Sequence, residues 1–426
     1  MECKVSFEKG LALYNARQYE RAIEWFRAEL LQYPSEQAKF WLGKALLAIH
    51  RYNEAFQAFS ACTEQNTREP AQVNMAIIEA KQDHPFEAEH RLRSLLPTKN
   101  EEIYLNLSSV LYQQGRAVDA QEILLQHPIV QSSTYWYTLG SVQLDLGKND
   151  EARVHFLKAI ETNPQNSDAY LWLAGLAVDQ KEFKQAVHYL EQILAYDPNH
   201  SFVHFHLAAL YELLGLAHKS IQHSMKLSFD VHQPWISSWN FIQRNKSEKT
   251  IFTGTSQQGF SKLPPRIQGL CLEFGVRFGN SLRRLQELTG TQWHGFDSFQ
   301  GLPTQWNERE QGSYSTKGYI PDLGADISLH TGWFSQSLPI FMKDHKGPVS
   351  IIHIDCDLYV STKEALFLLA PWITSGTILI FDEYIMNPKW EQDEHKAFIE
   401  VAQQNGWAYE YHSVSVFCWQ VVIKIL

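Results

Sequence analysis

Small residues fall in pairs twelve positions apart throughout the first half of this 426-residue chain. The pairs are Gly10/Ala22, Gly43/Ala55, Ala76/Ala88, Ser108/Ala120, Gly140/Ala152, Ala174/Ala186 and Ala208/Ser220, and consecutive pairs lie 32 to 34 residues apart. Four residues after the second member a large apolar side chain usually follows: Phe26, Phe59, Leu92, Leu124, Phe156 and Leu190. A period of this length marks one supersecondary unit repeated in tandem. Each unit reads as two antiparallel helices. The small residues let the two backbones approach, and the large one fills the gap beside them. One such pair cannot bury its own apolar face, so the units must stack.

The pattern resembles the tetratricopeptide repeat over about residues 3–228, in about seven units. Pro34, Pro164 and Pro198 close three of them. Residues 1–228 are thus expected to form an all-α solenoid, whose groove would accept a protein or peptide partner. Trp25, Phe40, Trp41, Trp136 and Trp172 are read as core rather than ligand contacts. The formal net charge of −10 argues against nucleic acid as the partner. No window of eighteen apolar residues suggests a membrane span, and the first residues lack the apolar core of a secretory signal. Five scattered cysteines without a C-x-x-C pair suit reduced thiols in the cytoplasm.

The period fades after Ser228. Residues 229–266 hold the polar run RNKSEK and end in LPPR, and they read as a linker with one short helix. From 267 to 426 short apolar runs alternate with helical segments, which indicates a parallel sheet built from βαβ units with helices on both faces. The expected fold class is therefore α followed by α/β, a solenoid and then a Rossmann-like sheet.

Acids terminate four of the expected strands. The first ends at Glu273 and continues through Gly275 and Gly279; the second ends at Asp297, the fourth at Asp355 and the fifth at Asp382-Glu383. Ligands of open α/β sheets bind at these carboxyl ends, and an acid after the second strand suits ribose hydroxyls. Asp355, Asp382 and Glu383 form a set of hard oxygen donors suited to magnesium, with Asp357 behind them. Ser361 and Glu364 match a capping box for the next helix. Cys356, between the two aspartates, reads as packing.

Five blocks, LEFGVRFGNS (272–281), GFDSFQGLP (295–303), HTGWFSQSLP (330–339), HIDCDLYVST (353–362) and FDEY (381–384), occur in the order found in the macrocin O-methyltransferase-like family. Residues 265–425 resemble these class I S-adenosylmethionine-dependent enzymes, which methylate hydroxyls of sugars and natural products. The resemblance implies a seven-stranded sheet with an antiparallel last strand. It implies cofactor contacts at Glu273, Gly275, Gly279 and Ser281, Asp297 on the ribose, and Gly332 and Trp333 near the adenine. It implies magnesium at Asp355, Asp382 and Glu383, with Asp355 also the base and His395 a second candidate. The family often has two aspartates where this chain has Asp382-Glu383. The acceptor is expected to be a sugar, glycan or natural-product hydroxyl. Two rival readings stand beside it: a phenolic or other small-molecule acceptor, and a repeat adaptor carrying a relic domain.

Overall fold

The computed structural model describes residues 2–126 and 132–426, with side chains from residue 6 onward. The chain forms two compact units, Met1–Gln131 and Ser132–Leu426. The first contains four helix pairs: α1 (Glu2–Asn15) and α2 (Tyr19–Gln32), α3 (Glu36–Ala48) and α4 (Tyr52–Ser60), α5 (Gln65–Lys81) and α6 (Pro85–Arg93), α7 (Glu101–Gln113) and α8 (Ala117–Leu125). The second unit opens with three more pairs: α9 (Ser133–Asp145) and α10 (Asn149–Thr162), α11 (Ser167–Asp179) and α12 (Phe183–Leu194), α13 (Ser201–Leu213) and α14 (Ala217–Ser224).

Each helix pair carries one of the seven small-residue pairs. The reason is visible in the packing. A Cβ on Gly10 would stand 2.7 Å from the Phe26 ring, one on Gly43 2.7 Å from Phe59, and one on Gly140 2.8 Å from Phe156. The recurring large residue therefore presses on the small one across the helix pair, where no larger side chain fits. Ser35, Asn100, Ser132 and Asn166 cap α3, α7, α9 and α11 by accepting backbone N–H bonds, which fixes where those helices begin.

Residues 229–266 are more than a connector. They form the 17-residue helix α15 (Phe229–Asn245), the two-residue strand β1 (Ile251–Phe252) and α16 (Ser256–Ser261). Trp235, Ser238, Trp239 and Ile242 recur at helical spacing and turn inward. The stripe is short and half polar, and Pro234 interrupts it, so the sequence pattern understates the helix.

The remaining chain alternates as expected: β2 (Leu270–Phe274), α17 (Asn280–Thr289), β3 (Trp293–Asp297), β4 (Ile327–Thr331), α18 (Phe334–Asp344), β5 (Val349–Ile354), α19 (Tyr359–Leu369), β6 (Ile378–Phe381), α20 (Glu394–Asn405), β7 (Tyr409–Val414) and β8 (Val421–Ile425). The sheet order is β1-β7-β8-β6-β5-β2-β3-β4. β8 runs antiparallel to both neighbours, and every other pairing is parallel. The seven expected strands are present, and β1 extends the edge beside β7 as an eighth.

The buried strands alternate between two cores, as the period of two requires. Leu272, Phe274, Ile352, Ile354, Leu379 and Phe381 pack with α18, α19 and α20, while Cys271, Ile351, Ile378 and Ile380 pack with α16 and α17. The first core also takes in Phe205 and Ala209 of α13 and Trp239 and Ile242 of α15. The last repeats and the sheet thus share one apolar interior. Asp179, at the end of α11, reinforces the seam. Its carboxylate accepts Gly254 N at 2.7 Å and Thr255 Oγ1 at 2.6 Å, and the backbones of Gly175 and Gly254 approach so closely that neither tolerates a Cβ.

Among the described residues no helix is long and apolar enough to cross a membrane. Cys62, Cys271, Cys356 and Cys418 are free thiols; the side chain of Cys3 lies outside the described residues.

Candidate active site

The sheet order reverses between β5 and β2, and a cavity of about 520 Å³ opens at the carboxyl ends of the strands there. This is where the crossover helices leave a crevice. Gly275, Val276 and Arg277 form one wall, Asp297 and Ser298 a second, and Trp333, Phe334 and Ser335 a third; Asp355, Asp357 and Glu383 line the rest of the depth.

Gly275 has φ +90°, and a Cβ there would collide with the carbonyl oxygen of Asp355. Only glycine fits this turn between two strand ends. Val276 N and Arg277 N both donate to Asp297 Oδ2 at 2.8 Å, and Phe299 N donates to Oδ1 at 2.6 Å. Asp297 therefore binds the turn after β2 to the turn after β3. Gly332, with φ +125°, donates its N–H to the Asp297 carbonyl at 2.9 Å and sets Trp333 against the cavity.

Four expected cofactor residues, Glu273, Gly279, Ser281 and Gly332, are not among those that line the cavity. Glu273 is fully buried, accepts from Ser281 Oγ at 3.0 Å, and lies 2.9 Å from His353 Nδ1. Its side chain points into the sheet's second core because strand neighbours alternate in direction. Ser281 is engaged with it. Gly279, φ +79°, starts α17 and packs against Leu323.

The acids at the strand ends crowd together. Asp355 N donates to Phe274 O and Asp382 N to Ile354 O, which places both aspartates just beyond paired strands. Burial, then the neighbouring Asp382, pushes the Asp355 carboxyl well above its usual range. Burial with Asp382 and Asp393 carries Asp357 up to about 7, although Arg309 and Arg277 oppose this. Burial followed by Asp382 and Asp357 carries Glu383 up to about 9. Glu383 Oε2 is buried without a hydrogen-bond partner. One cation in the interior is His353: burial alone would lower its pKa, but the hydrogen bond and charge of Glu273, with Asp355 and Asp382, carry it up to about 9. Burial pushes Glu273 up as well. Among the described residues no three His, Cys, Asp or Glu side chains are grouped to hold a metal ion. Asp382 does not line the cavity; its Oδ1 accepts from Gln420 Nε2 at 3.3 Å.

His395 faces elsewhere. Its ring packs 4.8 Å from Phe241, 4.9 Å from Trp390 and 5.0 Å from Tyr384, centroid to centroid. Burial lowers its pKa to about 4. It does not line this cavity. The capping box also resolves differently. α19 begins at Tyr359, and its N-cap, Leu358, makes no side-chain cap. Ser361 and Glu364 instead line the cavity, and Glu364 Oε2 accepts Ser335 N at 3.2 Å from α18. Cys356 is buried beside Thr362 and contributes to the cavity lining, and burial pushes its thiol well up.

Sequence reasoning missed Tyr314. It lines the cavity, and its ring centroid lies 5.3 Å from the guanidinium carbon of Arg277 and 5.4 Å from that of Arg309. Nearby, Leu302, Trp306 and Leu358 form a small apolar cluster that holds this loop as a packed wall. No motif marks Tyr314; the chain must fold back over some forty residues to bring it near Gly275.

Residues 272–384 match the model of a methyltransferase domain. Residues 7–68 and 143–214 match tetratricopeptide repeat models, and residues 86–159 match a model described as anaphase-promoting complex, cyclosome, subunit 3. The chain is similar to the demethyldecarbamoylnovobiocin O-methyltransferase of Streptomyces niveus, with 33% identity over 19% of this chain and 31% of the relative. It is also similar to anaphase-promoting complex subunit 3 of Schizosaccharomyces pombe, with 34% identity over 18% of this chain and 12% of the relative. The chain thus spans under a third of either relative's length. Among solved structures it resembles the calicheamicin methyltransferase CalS11, with 22% identity, 40% of this chain, 77% of that chain and a TM-score of 0.32. It also resembles Pseudomonas aeruginosa pilF, with 18% identity, 49% of this chain, 97% of that chain and a TM-score of 0.42. The chain joins tetratricopeptide repeats to a methyltransferase domain.

Proposed function

We propose that the chain is an S-adenosylmethionine-dependent O-methyltransferase acting on a hydroxyl of a sugar, glycan or natural product, with the repeats engaging a protein partner or the acceptor's carrier. The observation that carries this reading is the cavity at the carboxyl ends of β2, β3 and β5, where a glycine-only turn meets buried carboxylates. Likeness to an enzyme named as an O-methyltransferase supports oxygen as the acceptor atom.

Bound there, S-adenosylmethionine would supply an electrophilic methyl carbon. The Gly275 turn would leave room for the cofactor's backbone contacts, Asp297 would meet the ribose, and Trp333 would flank the adenine. Methyl transfer forms the O–CH₃ bond as the S–CH₃ bond breaks, and the sulfonium becomes a neutral thioether. The acceptor's proton must leave, and Asp355 is the assigned base. It lines the cavity at the carboxyl end of β5, where a general base would have to stand. Holding the oxygen in line with the methyl supplies much of the remaining acceleration.

Magnesium is the second part of the proposal. The donor chemistry fits: Asp355, Asp382 and Glu383 offer hard oxygens, they repel one another, and Glu383 Oε2 lacks a partner. A divalent ion held by these three would add positive charge beside the acceptor oxygen. The support is donor chemistry, not a preformed cage. The free thiols fit a reducing compartment such as the cytoplasm.

The test is incubation of labelled S-adenosylmethionine with small-molecule extract of the native host, followed by mass spectrometry. A labelled product is expected from the wild type and none from Asp355→Asn, while calorimetry with S-adenosylhomocysteine shows cofactor binding to both. Excess chelator should silence the wild type, and added magnesium should restore it. Transfer persisting in chelator overturns the metal; absence of cofactor binding overturns the enzyme.

A further inference from the structure

The segment between β6 and α20, residues 382–393, supplies Glu383 to the cavity and is not held by the sheet alone. Met386 has φ +72° in a non-glycine residue, a conformation that needs support from its surroundings. Its N–H donates to Ser238 Oγ at 2.8 Å, and both residues are buried. Ser238 belongs to α15. One turn of the segment later, Trp390 Nε1 donates at 2.9 Å to Ser237 Oγ, the adjacent residue of the same helix. Phe241 of α15 then packs on Trp390 at 5.3 Å, centroid to centroid.

These anchors run directly to the carboxylate. Asn387, fully buried and next to Met386, donates from Nδ2 to the Glu383 carbonyl at 2.8 Å. Glu383 N in turn donates to Glu394 Oε2 at 3.2 Å. On the opposite side Trp306 Nε1 donates to Asp393 Oδ2 at 3.2 Å, linking the segment to the wall that carries Tyr314. The segment is therefore pinned at both ends, and the pin nearest Glu383 comes from a helix outside the methyltransferase match.

We infer that Ser238 and Ser237 of α15 are positioning residues for methyl transfer, holding the 382–393 segment so that Glu383 presents its carboxylate to the acceptor side of the cavity. The inference rests on the function proposed above. It assigns the helix that follows the repeats a part in the site itself. A buried amide that loses its acceptor must move to find another, and displacement of about 1 Å in a reacting site can cost about 10²-fold in rate. Cofactor binding draws on β2, β3 and α18 instead, so it is spared.

The test uses the full chain, labelled S-adenosylmethionine and the host extract that serves the wild type. Ser238→Ala should lower turnover at saturating S-adenosylmethionine by about 10²-fold, with KM for S-adenosylmethionine and S-adenosylhomocysteine affinity unchanged. Ser237→Ala, at a half-buried position, should lower turnover less, and Ser237→Thr, which keeps an oxygen for Trp390, should restore it. Full turnover in Ser238→Ala overturns the inference. So does loss of turnover together with cofactor affinity, which would mark a purely structural helix. If Ser238→Ala does not fold, unchanged turnover in Ser237→Ala overturns it instead. A wild type that binds cofactor but labels nothing overturns the proposed function first, and that outcome is distinct from the other three.

Discussion

Glu273 Oε2 and His353 Nδ1 lie 2.9 Å apart with both side chains wholly excluded from solvent. The pair sits between the strand that carries the Gly275 turn and the strand that carries Asp355, so it joins the two halves of the site from beneath. Removing one partner of a buried charge pair leaves the other uncompensated, at a cost of about 3–5 kcal/mol. Glu273→Ala should lose stability on that scale in urea titration. S-adenosylhomocysteine affinity of the folded protein should not change, because the side chain does not reach the cavity. Lost affinity at unaltered stability would return Glu273 to the cofactor site.

Asp297 gathers three backbone N–H groups and faces the cavity. Hydrogen bonds to a charged acceptor contribute about 1.5–3 kcal/mol each. Asp297→Ala should therefore weaken S-adenosylhomocysteine binding by at least about tenfold, the equivalent of one such bond. Calorimetry gives the number. An unchanged dissociation constant would confine Asp297 to shaping the turns.

A histidine cluster at the far edge of the sheet makes stability depend on pH. His294 Nδ1 and His330 Nε2 are 3.1 Å apart on β3 and β4, and the His345 ring lies 4.9 Å from His294. Burial, with the charges of His330 and His345, lowers the His294 pKa to about 4, and burial lowers His330 as well. A histidine held neutral in the fold binds its proton in the unfolded chain first. The unfolded state thus carries more protons between the ordinary value of 6.5 and about 4, and stability falls as pH falls through that window. His294→Phe should flatten this part of the melting-temperature profile. A slope equal to that of the wild type would place the pH sensitivity elsewhere.

The seam between the last repeats and the sheet predicts which fragments survive. We propose that the domain boundary for folding lies before α9 rather than near residue 230. A chain starting at Ser132 should be soluble and bind cofactor. One starting at residue 230 would expose the core face that receives Phe205 and Ala209, and should aggregate. Gly254→Ala, which drives a methyl into the Gly175 carbonyl, should lower the melting temperature of the longer fragment. Full solubility of the shorter fragment would contradict the shared core.

The sequence alone determined the elements. A period of 32 to 34 residues with small residues at fixed offsets leaves stacked helix pairs as the packing that buries every apolar face, and Gly10 against Phe26 shows the contact that imposes the period. Alternating apolar runs ending in acids located the sheet and the end at which ligands enter, because strand polarity fixes the crevice. Side-chain direction was not determined in this way. Glu273, one residue before Phe274 and two before Gly275, turns inward to His353, while His395 turns into an aromatic cluster. Tyr314 and Ser238 reach the site region from loops and helices with no motif, since long-range packing, not local spacing, carries them there. Whether residues 229–266 link or belong was likewise decided by tertiary structure. A helix with one narrow apolar stripe looks like a connector until the sheet supplies the surface on which Trp239 and Ile242 can be buried.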